Sequence, residues 1–328
     1  MKFATLKNDQ RDGQLVLVSR DLSQALDIQH IVPGLQRLLE NWDVYTPALK
    51  PLYEQLNERT VGSAFPFDSA AAMAPLPRSY QWLDGSAFLN HGNLIQQAFN
   101  LPPQDDERIP LIYQGASDTF IGANDPIRLP SENHNIDFEG EFAVFLDDVP
   151  MGCPVDQTLE HVRLISIVND VSLRSFIQRE IRSGFGFIQA KPSSSFAPVA
   201  VTSDELDGYW RDGRVCLSLS VTWNGQWFGH PNGAEMDFSF AELIAHAAYT
   251  RNLGAGTIVG SGTVSNKDSR RGSSCIAERR ALEMIESGSM TTSFMQFGDQ
   301  IRMEVFNAGN ETVFGAIDQR VSQGGVYE

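Results

Sequence analysis

From residue 110 onward the chain passes through one short β-prone run after another: PLIYQ (110–114), DFEGEFAVFL (137–146), LISIVND (164–170), SFAPVAVT (195–202), RVCLSLSVTWN (214–224), GTIVGSGTV (256–264) and QIRMEVFN (300–307). At least three helical stretches lie among them, Val171–Arg182, Phe238–Arg251 and Cys275–Glu286. Strands that follow one another without an intervening helix pair through short connections, whereas a doubly wound parallel sheet needs a crossover for each pair. The pattern predicts an α+β, β-rich architecture with an antiparallel or mixed sheet and helices laid on it.

The first part of the chain reads differently. Met1–Lys7 and Gln14–Ser19 are β-prone and flank a turn-rich segment, which signals a hairpin. Ile31–Leu56 carries apolar residues at helical spacing. The stretch Ala72–Arg78, AMAPLPR, holds two prolines and little periodicity and reads as a linker. Two domains are therefore expected, a small one over residues 1–73 and a larger one over 74–328.

A formal charge of −16 over 328 residues argues against nucleic acid, whose phosphates demand dense Lys and Arg. No apolar run reaches the roughly 20 residues that span a bilayer, and the first residues lack the apolar core of a signal peptide. Three cysteines without paired spacing fit reduced thiols, so a cytoplasmic protein with no membrane partner is expected. Gly254–Gly262 is glycine-rich but lacks the phosphate-loop arrangement, because Lys267 comes five residues after Gly262. A strand end with close backbone approach is the better reading.

Glu139 and Glu141 are the most informative side chains. On a strand, residues i and i+2 project to the same face, so both carboxylates point together. Two readings stay open: a solvated face, or a cation that neutralises them, for which all-oxygen ligation suits Mg²⁺, Ca²⁺ or Mn²⁺. Asp170 ends an apolar run before a helical pattern, as a helix N-cap or as a further ligand. Asp84 and His91 are similarly ambiguous alone, and Lys191 reads as a turn lysine before Pro192. Cys275 is considered as a nucleophile, but no Cys–His motif supports it locally.

In order and spacing, these pieces resemble the fumarylacetoacetate hydrolase family across roughly residues 72–320. The carriers are Ala74-Pro-Leu-Pro-Arg78, Asp84 with His91, Tyr113-Gln-Gly-Ala-Ser-Asp118, the Glu139/Glu141 strand, Asn169-Asp170, Phe187-Ile-Gln-Ala-Lys-Pro-Ser-Ser-Ser195 and Gly262-Thr-Val-Ser265. Two departures stand out. Ala116 occupies the family's arginine position, and the interval from Gly272 to Glu278 is two residues longer than the family's.

The resemblance implies a mixed-sheet, roll-like catalytic fold behind a small N-terminal β/α domain, a homodimer, and a small dicarbonyl substrate. It implies Asp84, Glu139, Glu141 and Asp170 as ligands of Mg²⁺ or Ca²⁺, with Mn²⁺ as a third candidate. His91 would activate water, oriented by Glu278, with Lys191 as a third catalytic group. Tyr113, Gln178 and Thr263 would contact substrate, although Ile177 competes for the glutamine position and Cys275 or Glu283 lie near Glu278. The leading expectation is hydrolysis of a carbon–carbon bond in a β-diketone, with fumarylacetoacetate giving fumarate and acetoacetate in tyrosine breakdown. The alternatives are an acylpyruvate hydrolase, a 2-oxo acid decarboxylase, hydratase or isomerase, and a non-catalytic binding protein.

Overall fold

The computed structural model describes residues 1–100 and 108–324. Its strands build a mixed, strand-rich α+β fold. The main sheet runs in the order 65–66, 24–27, 14–18, 2–6, 200–201, 162–169, 140–146, 258–260, 82–85, 112–115, with 195–196 also pairing 162–169. Most neighbours are antiparallel, but 258–260 and 82–85 run parallel. A five-stranded second sheet orders 226–229, 219–223, 300–305, 317–323 and 127–129. Six α-helices accompany them among the described residues: α1 (Leu35–Glu40), α2 (Trp42–Asn57), α3 (Leu89–Phe99), α4 (Arg174–Ser183), α5 (Phe240–Ala247) and α6 (Ile276–Ser287).

The strand Gly140–Leu146 is the spine. Every residue in it is buried, and alternation sends Phe142, Val144 and Leu146 into one core and Ala143 and Phe145 into the other. The first core continues into α5, α6 and the second sheet through Leu243, Ile276, Leu219 and Met303. The second core continues into α1 and α2 through Leu35, Leu38, Leu49 and Tyr53. Fully burying each large apolar side chain contributes roughly 1.5–3 kcal/mol, so this strand is locked on both sides. A strand held this rigidly is a suitable platform for Glu141, which lies on the Ala143 and Phe145 face.

The expected hairpin forms from Lys2–Leu6 and Gln14–Val18, and its first strand pairs onward with residues 200–201. The main sheet therefore passes through both the N-terminal segment and the larger remainder. Residues 72–78, read as a linker, are packed against this sheet. Met73 N–H donates to Thr5 O at 2.8 Å, Thr5 Oγ1 donates to Pro75 O at 2.6 Å, and Ala74 and Leu76 are buried. The continuous run expected at 195–202 breaks into two short strands on either side of Pro198, which has no N–H to give a ladder.

Candidate active site

Two strands and the end of a third bring Asp84, Glu141 and Asp170 together. Asp84 sits on 82–85, opposite Gly260 in the neighbouring strand. Gly260 has to be small: a Cβ there would meet an Asp84 carboxylate oxygen and the Trp82 ring, each at 2.4 Å. Gly262 follows with φ +73° and gives its N–H to Asp84 Oδ1 at 3.1 Å. The glycine-rich segment thus serves close backbone approach beside a carboxylate.

Asp84, Glu141 and Asp170 each offer an oxygen, and these three atoms lie within 4.8 Å of one another. Glu141 is fully buried, and neither of its carboxylate oxygens meets a hydrogen-bond donor among the described residues. Burial and the Asp170 charge push the Asp84 carboxyl up to about 8, while burial with the charges of Asp84 and Asp170 pushes Glu141 well above its ordinary range. Such a cluster is costly unless a cation enters it. Divalent ions bind oxygen at about 2.0–2.6 Å, so three oxygens this close can share one ion. The donor set and the orphaned Glu141 oxygens fit a divalent metal held by Asp84, Glu141 and Asp170.

Glu139 differs from the other three. It is only 4% exposed, which eliminates the solvated-face reading for the pair. Its oxygens face two buried cations: Lys191 Nζ at 2.5 Å and Arg174 Nη2 at 2.6 Å. Burial pushes Glu139 up, but Arg174 and then Lys191 outweigh it and hold the carboxyl well below its ordinary range. Of the four expected ligands, the structure therefore brings three into one triad and gives the fourth to an ion-pair network. The same Lys191 ammonium donates to Asp170 Oδ2 at 2.6 Å. Burial would discharge it, yet Asp170, Glu139 and Asp84 raise its pKa well above the ordinary value.

Asp170 is not a helix cap, since α4 begins at Arg174 after Leu173. It accepts hydrogen bonds from Lys191, from Ser194 Oγ at 2.6 Å and from the Tyr113 hydroxyl. Burial and the neighbouring carboxylates, Asp170 first, keep that phenol protonated. Tyr113 lies directly across from Asp84 in the antiparallel pair of 82–85 with 112–115.

His91, in the first turn of α3, points Nδ1 at Glu278 Oε2 of α6 at 2.8 Å. Glu278 is buried and His91 is 17% exposed, so the imidazole keeps limited access. Glu283, the competitor in sequence, instead accepts from Thr291 and Thr292. Cys275 caps α6, its sulfur 3.3 Å from the Glu278 N–H, and burial first, then Asp137, pushes the thiol up, which disfavours a nucleophile. Thr263 is buried in the glycine turn beside Gly262. Gln178 is exposed on α4, one turn beyond Arg174, outside the carboxylate cluster.

Sequence reasoning missed Arg174 and Asp137. Asp137 accepts from Arg174 Nε at 2.8 Å and from the first two amides of α6, Ile276 at 2.7 Å and Ala277 at 2.9 Å, an anion at a helix N-terminus. The available signals were alternation, which puts Asp137 two residues before Glu139, and the position of Arg174 four residues after Asp170.

A family model described as Fumarylacetoacetate (FAA) hydrolase C-terminal matches residues 81–322, and one described as Fumarylacetoacetase N-terminal domain 2 matches residues 1–78. The chain belongs to the fumarylacetoacetate hydrolase family. Within it, the chain is similar to oxaloacetate tautomerase fahd2, mitochondrial, of Xenopus laevis, 26% identical over 157 residues that cover 47% of this chain and 47% of that protein. It is also similar to the fumarylacetoacetate hydrolase domain-containing protein 2 homolog of Dictyostelium discoideum, 25% identical over 61% of this chain and 65% of that one. The fold matches the maleylpyruvate hydrolase of Sphingobium sp. SYK-6 solved with manganese(II) ion and pyruvate, at TM-score 0.67, 16% identity, and 99% and 100% of the two chains. It also matches the 2-hydroxyhepta-2,4-diene-1,7-dioate isomerase of Mycobacterium marinum, at TM-score 0.62, 16% identity and the same coverage. The fold is thus shared with proteins named as a hydrolase and an isomerase, and the sequence is similar to one named as a tautomerase. No described helix is long and apolar enough to cross a membrane.

Proposed function

We propose that this chain is a metal-dependent hydrolase of 1,3-dicarbonyl acids, cleaving a carbon–carbon bond in an acylpyruvate or in the related fumarylacetoacetate. The observation that carries this reading is the 2.8 Å contact between His91 Nδ1 and Glu278 Oε2 beside a buried carboxylate triad. Glu278 accepts from Nδ1–H and so leaves Nε2 with a free lone pair, the tautomer needed to take a proton from water. Water so activated adds to the distal carbonyl, the carbon–carbon bond breaks, and its electron pair leaves as an enolate. Lys191 supplies a fixed positive charge beside the triad that offsets the negative charge developing on oxygen. Tyr113 and Ser194 hold Asp170 in orientation. A divalent ion held by Asp84, Glu141 and Asp170 would polarise the substrate's two oxygens as a Lewis acid. Mg²⁺, Ca²⁺ and Mn²⁺ all suit the donor set.

The test is turnover by protein loaded with Mn²⁺ or Mg²⁺ on a panel of maleylpyruvate, acetylpyruvate and fumarylacetoacetate, following loss of enol absorbance and identifying products by NMR. Failure on all three overturns the hydrolase reading. The panel also tests fumarylacetoacetate against the shorter acylpyruvates. A second reading, tautomerisation or decarboxylation of a 2-oxo acid such as oxaloacetate, is supported by the Xenopus relative's name and uses the triad and Lys191 without activated water. His91→Ala discriminates them: hydrolysis requires the imidazole, and enolisation at the triad does not.

A further inference from the structure

Lys191 carries its charge into the site from a segment that begins in an open, exposed turn. The preceding loop contains Gly184 and Gly186, at φ +72° and +93°, in open space, and between them Phe185 is 98% exposed. Phe187 leaves the loop to pack edge-on against Tyr113, with ring centroids 5.0 Å apart. Such a segment should move readily. Yet the residue that ends it is buried and touches two carboxylates at 2.5 and 2.6 Å.

Between the open turn and the fixed ammonium stands Glu180 on α4. Its buried carboxylate accepts from three consecutive backbone amides: Ile188 N–H at 3.0 Å, Gln189 N–H at 2.9 Å and Ala190 N–H at 3.0 Å. Leu173, at the start of the same helix, donates its N–H to Ala190 O at 2.8 Å. Helix α4 therefore reaches Glu139 by two routes. Arg174 in its first turn contacts the carboxylate directly. Glu180, six residues and roughly 9 Å further along the axis, holds the three residues that precede Lys191.

We propose that Glu180 is a positioning residue for the reaction: it fixes Lys191 against Glu139 and Asp170, although the Gly184–Gly186 turn shortly before it is open to solvent. The three amides hydrogen-bond to a charge, which is stronger than a bond between neutral groups. The clamp therefore holds the backbone just before Lys191 where the preceding turn does not.

This rests on the role given to Lys191 in the hydrolase reading, so the test has one measurement that needs substrate and one that does not. In Glu180→Ala, kcat for acylpyruvate hydrolysis should fall about 10–100-fold while KM and Mn²⁺ affinity stay near wild type, with Glu180→Gln, which keeps one acceptor oxygen, between the two. Independently, brief acylation by an N-hydroxysuccinimide ester, read by peptide mass spectrometry, should label Lys191 about tenfold faster in Glu180→Ala than in wild type. Exposed Lys50 and buried Lys2 serve as references and should not change. Unchanged Lys191 labelling overturns the proposal. So does a parallel rise at Lys2 and Lys191, because that marks general loosening. A wild-type protein that hydrolyses none of the panel defeats the hydrolase reading and leaves the labelling result to decide the clamp.

Discussion

His91 and Glu278 meet at 2.8 Å across 187 residues of chain, because α3 and α6 pack side by side. Removing the imidazole with His91→Ala should lower hydrolytic kcat about 100-fold or more, the usual share of a general base. Glu278→Gln should cost less, since the amide still reaches Nδ1 but no longer stabilises the imidazolium. Calorimetric titration with Mn²⁺ should show near wild-type affinity in both. A His91→Ala enzyme with full hydrolytic rate would remove the water-activating role.

Glu139 and Glu141 should respond in opposite directions to the same isosteric change. Glu139→Gln leaves the Lys191 and Arg174 charges under-compensated in a buried site, which typically costs about 3–5 kcal/mol. Glu141→Gln removes the cost of keeping a buried carboxyl protonated and should stabilise the metal-free protein. It should also abolish the Mn²⁺-induced rise in melting temperature, which in wild type reflects about 2.7 kcal/mol at a metal concentration 100-fold above Kd. Equal destabilisation by both changes would contradict the division of labour between them.

Gly260→Ala should weaken Mn²⁺ binding about 10–100-fold, because the added methyl occupies the place of an Asp84 oxygen 2.4 Å away. Thermal denaturation and metal titration on the same sample separate this from unfolding: affinity should drop by more than stability.

The pH dependence has a definite sign. The folded, metal-free protein holds a proton on Asp84 up to about 8, whereas the unfolded chain releases it in the ordinary carboxylate range. The folded state binds more protons across that window, so its stability should fall as pH rises from about 5 to about 8. Mn²⁺ replaces the proton, and its stabilising effect should grow over the same interval. Melting temperatures measured with chelator and with excess Mn²⁺ test both trends. A metal-free melting temperature that climbs steadily through the window would refute the raised carboxyl.

The parts of the site that were legible in sequence share one property: their geometry follows from local periodicity or a short spacing. Strand alternation placed Glu139 and Glu141 on one face, and the strand-rich pattern excluded a doubly wound sheet. Asp84 and His91 lie seven residues apart, but α3 itself was not anticipated, because Asn90, Gly92 and Asn93 are poor helix formers and tertiary packing holds the helix instead. The different fate of Glu139 was hidden for another reason. Its partners come from 35 and 52 residues away, and nothing local says that two cations will converge on one glutamate and none on its neighbour. Glu180 was equally invisible, since its acceptors' partners are backbone amides, which every residue except proline supplies.

The pairing of residues 2–3 with 200–201 has a consequence for how this chain is made. On the ribosome the first hairpin emerges long before its outer neighbour: at about 5–20 residues per second, the wait is on the order of ten seconds or more. Throughout that interval the nascent sheet shows an open rung to every other polypeptide nearby. Lys2 stands on that rung. A charged side chain on a sheet edge disfavours pairing with foreign strands, so a lysine suits a rung that stays open for a time. Once residues 200–201 arrive, Lys2 becomes buried and donates to the Val313 carbonyl at 2.7 Å. On that account, Lys2→Ile should leave the mature fold intact yet lower the yield of soluble protein during synthesis, as the soluble fraction after expression would show.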